Sequence, residues 1–198
     1  MTEKPKARLI LGSSSANRLD LLERASLTPD VIKGADIDET PRKGELPASY
    51  CVRMALEKNA ALADEFPDDF ILTADTAIVI GRSIYGKAQD NAEQEKFLRL
   101  FSGRSHRVLT ALAVRAPNGR VSHRLHVSRV TVKRLSETEI KDYIACGEWR
   151  GKAGYMLAGM FSRYVTRING TYSGIIGLPL YETMQLLNGL GYKIDTGV

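Results

Sequence analysis

The stretch ARLILGSSSANRLDLLERA, Ala7 to Ala25, passes from an apolar run through three serines into a segment with leucines at 19, 21 and 22. ARLILG has the length and composition of a buried strand, whereas RLDLLERA places its leucines on one face at helical spacing. The chain therefore reads as strand, hydroxyl-rich turn and helix. Such a turn offers free backbone N–H groups, serine hydroxyls and the positive end of a helix dipole, to which Arg18 adds a bidentate cation. Phosphate is the natural ligand of that set. A serine that only caps the helix, beside a solvated Arg18, is the competing reading, and both stand on this stretch alone.

Downstream, helical and strand patterns alternate. DVIKGADI (30–37) reads as a strand followed by the acidic turn segment around DETPRKGELP, and ASYCVRMALEKNAALADEF as a long helix. DDFILTADTAIVIGRSIYGKA gives two strands joined by a polar step, and NAEQEKFLRLFSGRSH a helix ending at Gly103. RVLTALAVRAPNGRVSHRLHVSRVTVKRL is a hairpin about the Pro-Asn-Gly turn at 117–119. SETEIKDYIACGEW opens on a capping box, Ser136 with Glu139, and stops near Gly147. RYVTRING reads as a strand, TYSGIIGLP as a turn and LYETMQLLNGLG as a last helix, which Pro179 is suited to start. Alternation with one antiparallel excursion predicts an α/β fold with a mixed twisted sheet and flanking helices.

Composition bounds the function. With 198 residues, 43% of them hydrophobic, the chain can bury one core or two closely joined lobes. No run of about eighteen apolar residues occurs, and MTEKPKAR lacks a signal-peptide pattern, so a cytoplasmic protein without a membrane partner is expected. The two cysteines, Cys51 and Cys146, have no CxxC spacing and suggest neither zinc nor a disulfide. The 28 Lys and Arg against 23 Asp and Glu favour an anionic partner. His123 and His126, three apart on a strand, fall on opposite faces and do not share a metal.

Four polar groups stand out. They are the hydroxyl turn with Arg18; the acidic ADIDET, with Asp36, Asp38 and Glu39 beyond a strand end; Lys58, among apolar neighbours on a helix; and Asp75 within FILTADTAIVI, followed by Lys87 in the turn YGKA. Each has a plain structural alternative: a solvated loop, a snorkelling lysine, a turn residue, a structural ion pair. Asp75 is the most informative, because a carboxylate among apolar strand residues either faces a cleft or pays a desolvation penalty. Together the four fit hydrolysis of a nucleoside triphosphate. That chemistry needs cations around the phosphates, carboxylates for a divalent metal and a carboxylate that orients or deprotonates water. Neither GxxxxGK[ST] nor GxGxxG is present, so P-loop and dinucleotide-binding folds are not supported. The rival is a basic nucleic-acid-binding module, which the 7% aromatic content and the acidic groups oppose.

The motifs SSSANRLDLL, DIDETP, VRMALEKNAAL, ADTAIVI, YGKA, SGRSHRVLTALAV and GIIGLPLYET, in this order, closely resemble the Maf (septum-formation) family of nucleoside triphosphate pyrophosphatases. The resemblance runs from Leu9 to about Leu187. It implies an ITPase-like fold over residues 1–198, a single domain with two lobes around a cleft, usually dimeric. It also implies hydrolysis of a nucleoside triphosphate to the monophosphate and pyrophosphate with Mg²⁺ or Mn²⁺. By position, phosphate binding falls on Ser13, Ser15 and Arg18, the acidic metal-associated residue is Glu39 and the helix lysine is Lys58. The proton acceptor is Asp75, placed at the metal with Glu39, and Lys87 is the second lysine.

The resemblance also implies three positions that sort substrates: Asn17, Thr76 and Ala158. Here Thr76 agrees with the dTTP/UTP subfamily pattern, whereas Asn17 replaces an arginine and Ala158 a glutamine, so base preference stays open. A non-catalytic nucleotide-binding relative linked to division is the alternative that the resemblance leaves. Lys152 is a further candidate for phosphate or base contact against a plain exposed loop lysine, His106 for a supporting hydrogen bond or a structural role, and Tyr172 for stacking on a base or, the preferred reading, for the core between the lobes.

Overall fold

The computed structural model describes residues 7–194. Seven strands form one mixed sheet in the order β2-β1-β3-β5-β6-β7, with β4 beside β3. The strands are β1 (Leu9–Gly12), β2 (Val31–Ile32), β3 (Phe70–Ile80), β4 (Ser83–Tyr85), β5 (Ser105–Arg115), β6 (Val121–Val132) and β7 (Val165–Asn169). The helices are α1 (Ala16–Arg24), α2 (Pro47–Leu62), α3 (Asn91–Phe101), α4 (Glu137–Cys146), α5 (Tyr172–Ile176) and α6 (Leu180–Gly189). The α/β architecture is the one expected. The capping box of α4 is present, and Gly147 ends that helix in the left-handed region at φ 72°. Pro179 occupies the N-cap of α6.

Two elements differ from expectation. The strand over DVIKGADI shrinks to Val31 and Ile32, which pair with Ile10 and Leu11. Its partner β1 ends at Gly12, so the later residues have no ladder to join. The turn TYSGIIGLP contains α5, a short helix whose first turn is held by Thr171, the Oγ1 of which accepts from the Gly174 N–H at 3.1 Å.

Strand β3 organises the molecule. One of its edges pairs in parallel with β1 over Phe70–Thr73 and antiparallel with β4 over Ile78–Ile80. Between them Ala74 to Ala77 have no strand partner on that edge among the described residues, while the other edge runs unbroken along β5 from Ile71 to Val79. The sheet is thus split at Asp75 and Thr76. Gly12 lets β1 come close at the split, since a Cβ there would lie 2.4 Å from Thr73 Cγ2.

Alternation along β3 and β5 distributes the core. On one face Phe70, Leu72, Ala74, Leu112 and Val114 pack with Leu9, Leu11, Leu22, Leu178 and Leu187. Further along that face Ile78 and Val108 pack with Phe101, Tyr143, Tyr155 and Phe161. The cross-strand pair Thr76–Thr110 separates the two clusters. On the opposite face α2 lays Tyr50, Cys51, Met54 and Ala55 against Ala77, Val79, Leu109, Ala111 and Ala113. Asp75 points to that face, beneath α2.

Candidate active site

The split opens into a cleft of about 470 Å³, the size of a small-ligand site. Ser13, Ser14, Ser15, Asn17 and Arg18 line it from the β1–α1 turn, Glu39 and Lys58 from the α2 side, Asp75 and Thr76 from β3, and Lys87 and Lys152 from the far side. Ten of the eleven site positions expected from sequence therefore meet. The exception is Ala158, which is exposed and stands outside this lining. Met156 and Leu157 occupy the corresponding part of the wall, because the chain turns outward before Ala158 and carries Gly159 and Met160 against Glu148.

At the turn, the structure separates the two readings of the serines. Ser15 is the N-cap of α1 but makes no side-chain capping bond. Ser13 Oγ instead accepts from the Ser15 N–H at 3.2 Å and from Arg18 Nη1 at 3.0 Å. First-turn N–H groups of a helix have no intrahelical acceptor, and Ala16 and Asn17 both line the cleft. Arg18 is far from solvated: Nε donates to the Gly177 carbonyl at 2.9 Å and Nη2 to Thr76 Oγ1 at 3.3 Å. Burial disfavours its charge, while Asp75 and Glu39 favour it.

Asp75 is buried, with 6% of its surface exposed, and its Oδ1 accepts from Lys58 Nζ at 2.7 Å. The same ammonium lies 3.0 Å from Glu39 Oε1. Burial pushes the Asp75 carboxyl above the ordinary carboxylate range; Lys58, by charge and hydrogen bond, and Arg18 pull it back. Lys58 is held in place because α2 is pinned to β3 beside it: Asn59 Nδ2 donates to the Ile71 carbonyl at 2.9 Å and Thr73 Oγ1 to the Ala55 carbonyl at 2.7 Å. Tyr50 OH donates to the Glu39 carbonyl at 3.0 Å and anchors the acidic loop. Lys87 is exposed and bridges to Ala153, which ties the YGKA turn to the segment bearing Lys152.

The remaining lining is apolar and was not singled out in the sequence: Ile78, Val108, Tyr155, Met156, Ile175 and Ile176. Nothing local distinguishes these from ordinary core residues. His106 supports this wall through Nε2 and Tyr155 OH, 2.7 Å apart, and burial holds its pKa down to about 4, so it is neutral. Tyr172, expected in the core, is 53% exposed and outside the cleft lining. Cys51 is buried and its thiol is pushed up to about 12, whereas Cys146 is exposed.

The family model for Maf-like protein matches residues 8–190. The chain belongs to the Maf family. Among its relatives, the dTTP/UTP pyrophosphatase of Caulobacter vibrioides is 48% identical over 93% of this chain and 96% of that one. Those of Hyphomonas neptunium and Roseobacter denitrificans are 49% and 50% identical, over 94% and 93% of this chain and 97% of each relative. A solved HAM1 protein from Coxiella burnetii is similar at TM-score 0.48 and 18% identity, covering 65% of this chain and 74% of that one. With the Maf assignment, the motif residues quoted above meet at one cleft.

Proposed function

We propose that this Maf-family chain hydrolyses dTTP and UTP to the monophosphate and pyrophosphate, with Asp75 as the proton acceptor for the attacking water. The observation that carries this is a buried carboxylate at a break in the sheet, raised above the usual range and facing a cleft lined by Arg18, Lys58, Lys87 and Lys152. A carboxylate so placed is a better base than a solvated one, and the cations lie where charge develops on the phosphates and the leaving pyrophosphate. Ser13, Ser15 and the first turn of α1 hold phosphate oxygens, with Arg18 fixed among them. Asn17 and Thr76 stand at the split, where the nucleoside joins the phosphates. The two clusters that the Thr76–Thr110 pair separates act as two lobes of one unit.

Among the described residues no group of three or more His, Cys, Asp or Glu could hold a metal. The donor set fits a cation shared with substrate, since Mg²⁺ commonly takes one or two carboxylates and completes its shell with water and phosphate. Asp75 and Glu39 would hold Mg²⁺ or Mn²⁺ in this way, and the ion would polarise phosphate oxygens as a Lewis acid. Lys58 bridges the same two carboxylates and balances their charge when substrate is absent.

Among the described residues no helix is long and apolar enough to cross a membrane. On the family resemblance we place the activity in the cytoplasm and in a homodimer, with no stable nucleic-acid or membrane partner. The test is pyrophosphate release from dTTP, UTP, CTP and GTP with Mg²⁺ or Mn²⁺, alongside Asp75→Asn. The expected result is preference for dTTP and UTP and a loss of turnover of about 10²–10⁴-fold in the variant. Nucleotide binding without release from any triphosphate contradicts the proposal and favours a non-catalytic relative.

A further inference from the structure

A second polar cluster lies behind the cleft on β6. His126 Nδ1 is 2.6 Å from Glu182 Oε1 on α6, and His126 Nε2 is 3.0 Å from Ser128 Oγ and 3.2 Å from Thr171 Oγ1. Serine, histidine and carboxylate in this order suggest a nucleophile triad, but Ser128 is fully buried and its Oγ accepts from the Thr171 N–H at 3.3 Å. No substrate reaches it. The cluster holds a piece of backbone instead.

That piece is the start of α5, and Gly174 is its junction. The Gly174 N–H donates to Thr171 Oγ1, and the Gly174 carbonyl accepts from Thr110 Oγ1 at 2.7 Å. A hydroxyl has one proton, so Thr110 must accept from Thr76, 3.0 Å away, and Thr76 in turn accepts from Arg18 Nη2. Three residues on, the Gly177 carbonyl accepts from Arg18 Nε directly, since Gly177 closes the short helix that Thr171 opens. The guanidinium is thus aimed from two points of one segment, and both depend on how α5 is seated. The seat has no slack: a Cβ at Gly174 would lie 2.4 Å from His126 Cδ2.

We infer that His126 and Glu182 are positioning residues for Arg18, acting through Thr171 and α5. Glu182 accepts from Nδ1–H and thereby fixes the imidazole ring, which presents Nε2 to the Thr171 and Ser128 hydroxyls. This inference rests on the proposed function for its kinetic consequence and on the hydrogen bonds alone for its structural one.

The test pairs His126→Asn and Glu182→Gln with Arg18→Lys in a double-mutant cycle, and follows the Arg18 Nε–H resonance by NMR in the same folded proteins. Each single variant at 126 or 182 is expected to lower kcat/KM about tenfold, yet to cost under about twofold when Arg18 is already lysine. The Arg18 Nε–H signal is expected to lose its exchange protection in both. Equal losses in the two backgrounds, or an unchanged Nε–H signal in folded variants, overturn the inference. If His126→Asn does not fold, Glu182→Gln runs the same cycle with the ring retained. A wild-type chain that hydrolyses no triphosphate contradicts the proposed function, and the resonance then decides the positioning role by itself.

Discussion

At Asp75 burial and charge act in opposite directions on one carboxyl. Burial disfavours the anion, while the Lys58 ammonium at 2.7 Å and, further off, Arg18 favour it; burial prevails, so the group titrates above the ordinary carboxylate range. Only the ionised form can take a proton from water. Activity should therefore rise with pH through this raised value, and the acid limb of kcat/KM against pH should lie above that of a solvated aspartate. Lys58→Met removes the largest opposing influence, so the same limb should move to still higher pH while activity falls; a limb that stays fixed or moves down contradicts the assignment. The residue was legible as sequence because a lone carboxylate in FILTADTAIVI is costly to bury without a purpose. Ala158 was not legible, because its place depends on how the loop from 150 to 159 turns, and no periodicity governs that turn.

Helix α2 lends the cleft one side chain, Lys58, and supports it otherwise by packing. Its inner face packs on β3 and β5, and two side-chain bonds, from Asn59 and Thr73, fix its rotation next to Lys58. Asn59→Leu should cost about 1–3 kcal/mol of stability and also lower kcat/KM, because the adjacent Lys58 loses its bearing on Asp75. Ser136→Ala removes the α4 cap, should cost about 1 kcal/mol, and should leave kcat/KM unchanged because that cap lies outside the cleft. Thermal melts beside steady-state kinetics separate the two; parallel losses of activity contradict the distinction. Long periodic elements such as α2 and the β5–β6 hairpin were legible in the sequence. The short ones were not: β2 stops where its partner stops, and α5 forms because Thr171 caps a segment that its glycines make look like a turn.

Over the whole molecule, the cleft follows from one interruption in a sheet. The parallel strand β1 leaves β3 at Gly12, β4 joins it again only at Ile78, and the chain uses the gap to bring together a hydroxyl turn, an acidic loop, a helix lysine and two lysines from the far side. The overall α/β class was legible in the order of the elements, and ten of the eleven residues singled out from the motifs line the one cleft. The split itself was not legible, because strand pairing is a long-range property that alternation along one strand does not encode. Nor was the chain from Glu182 to Arg18, whose members are scattered over 165 positions of sequence and meet only in the fold.

In the proposed reaction, water activated at Asp75 attacks the α-phosphorus, and the position of attack can be read from hydrolysis of dTTP in ¹⁸O-labelled water, with the products separated and weighed by mass spectrometry. Attack at that atom leaves one ¹⁸O in the thymidine monophosphate and none in the pyrophosphate, with no labelled product from Asp75→Asn on the same time scale. Label in the pyrophosphate, release of single phosphate groups, or full incorporation by the variant would contradict it.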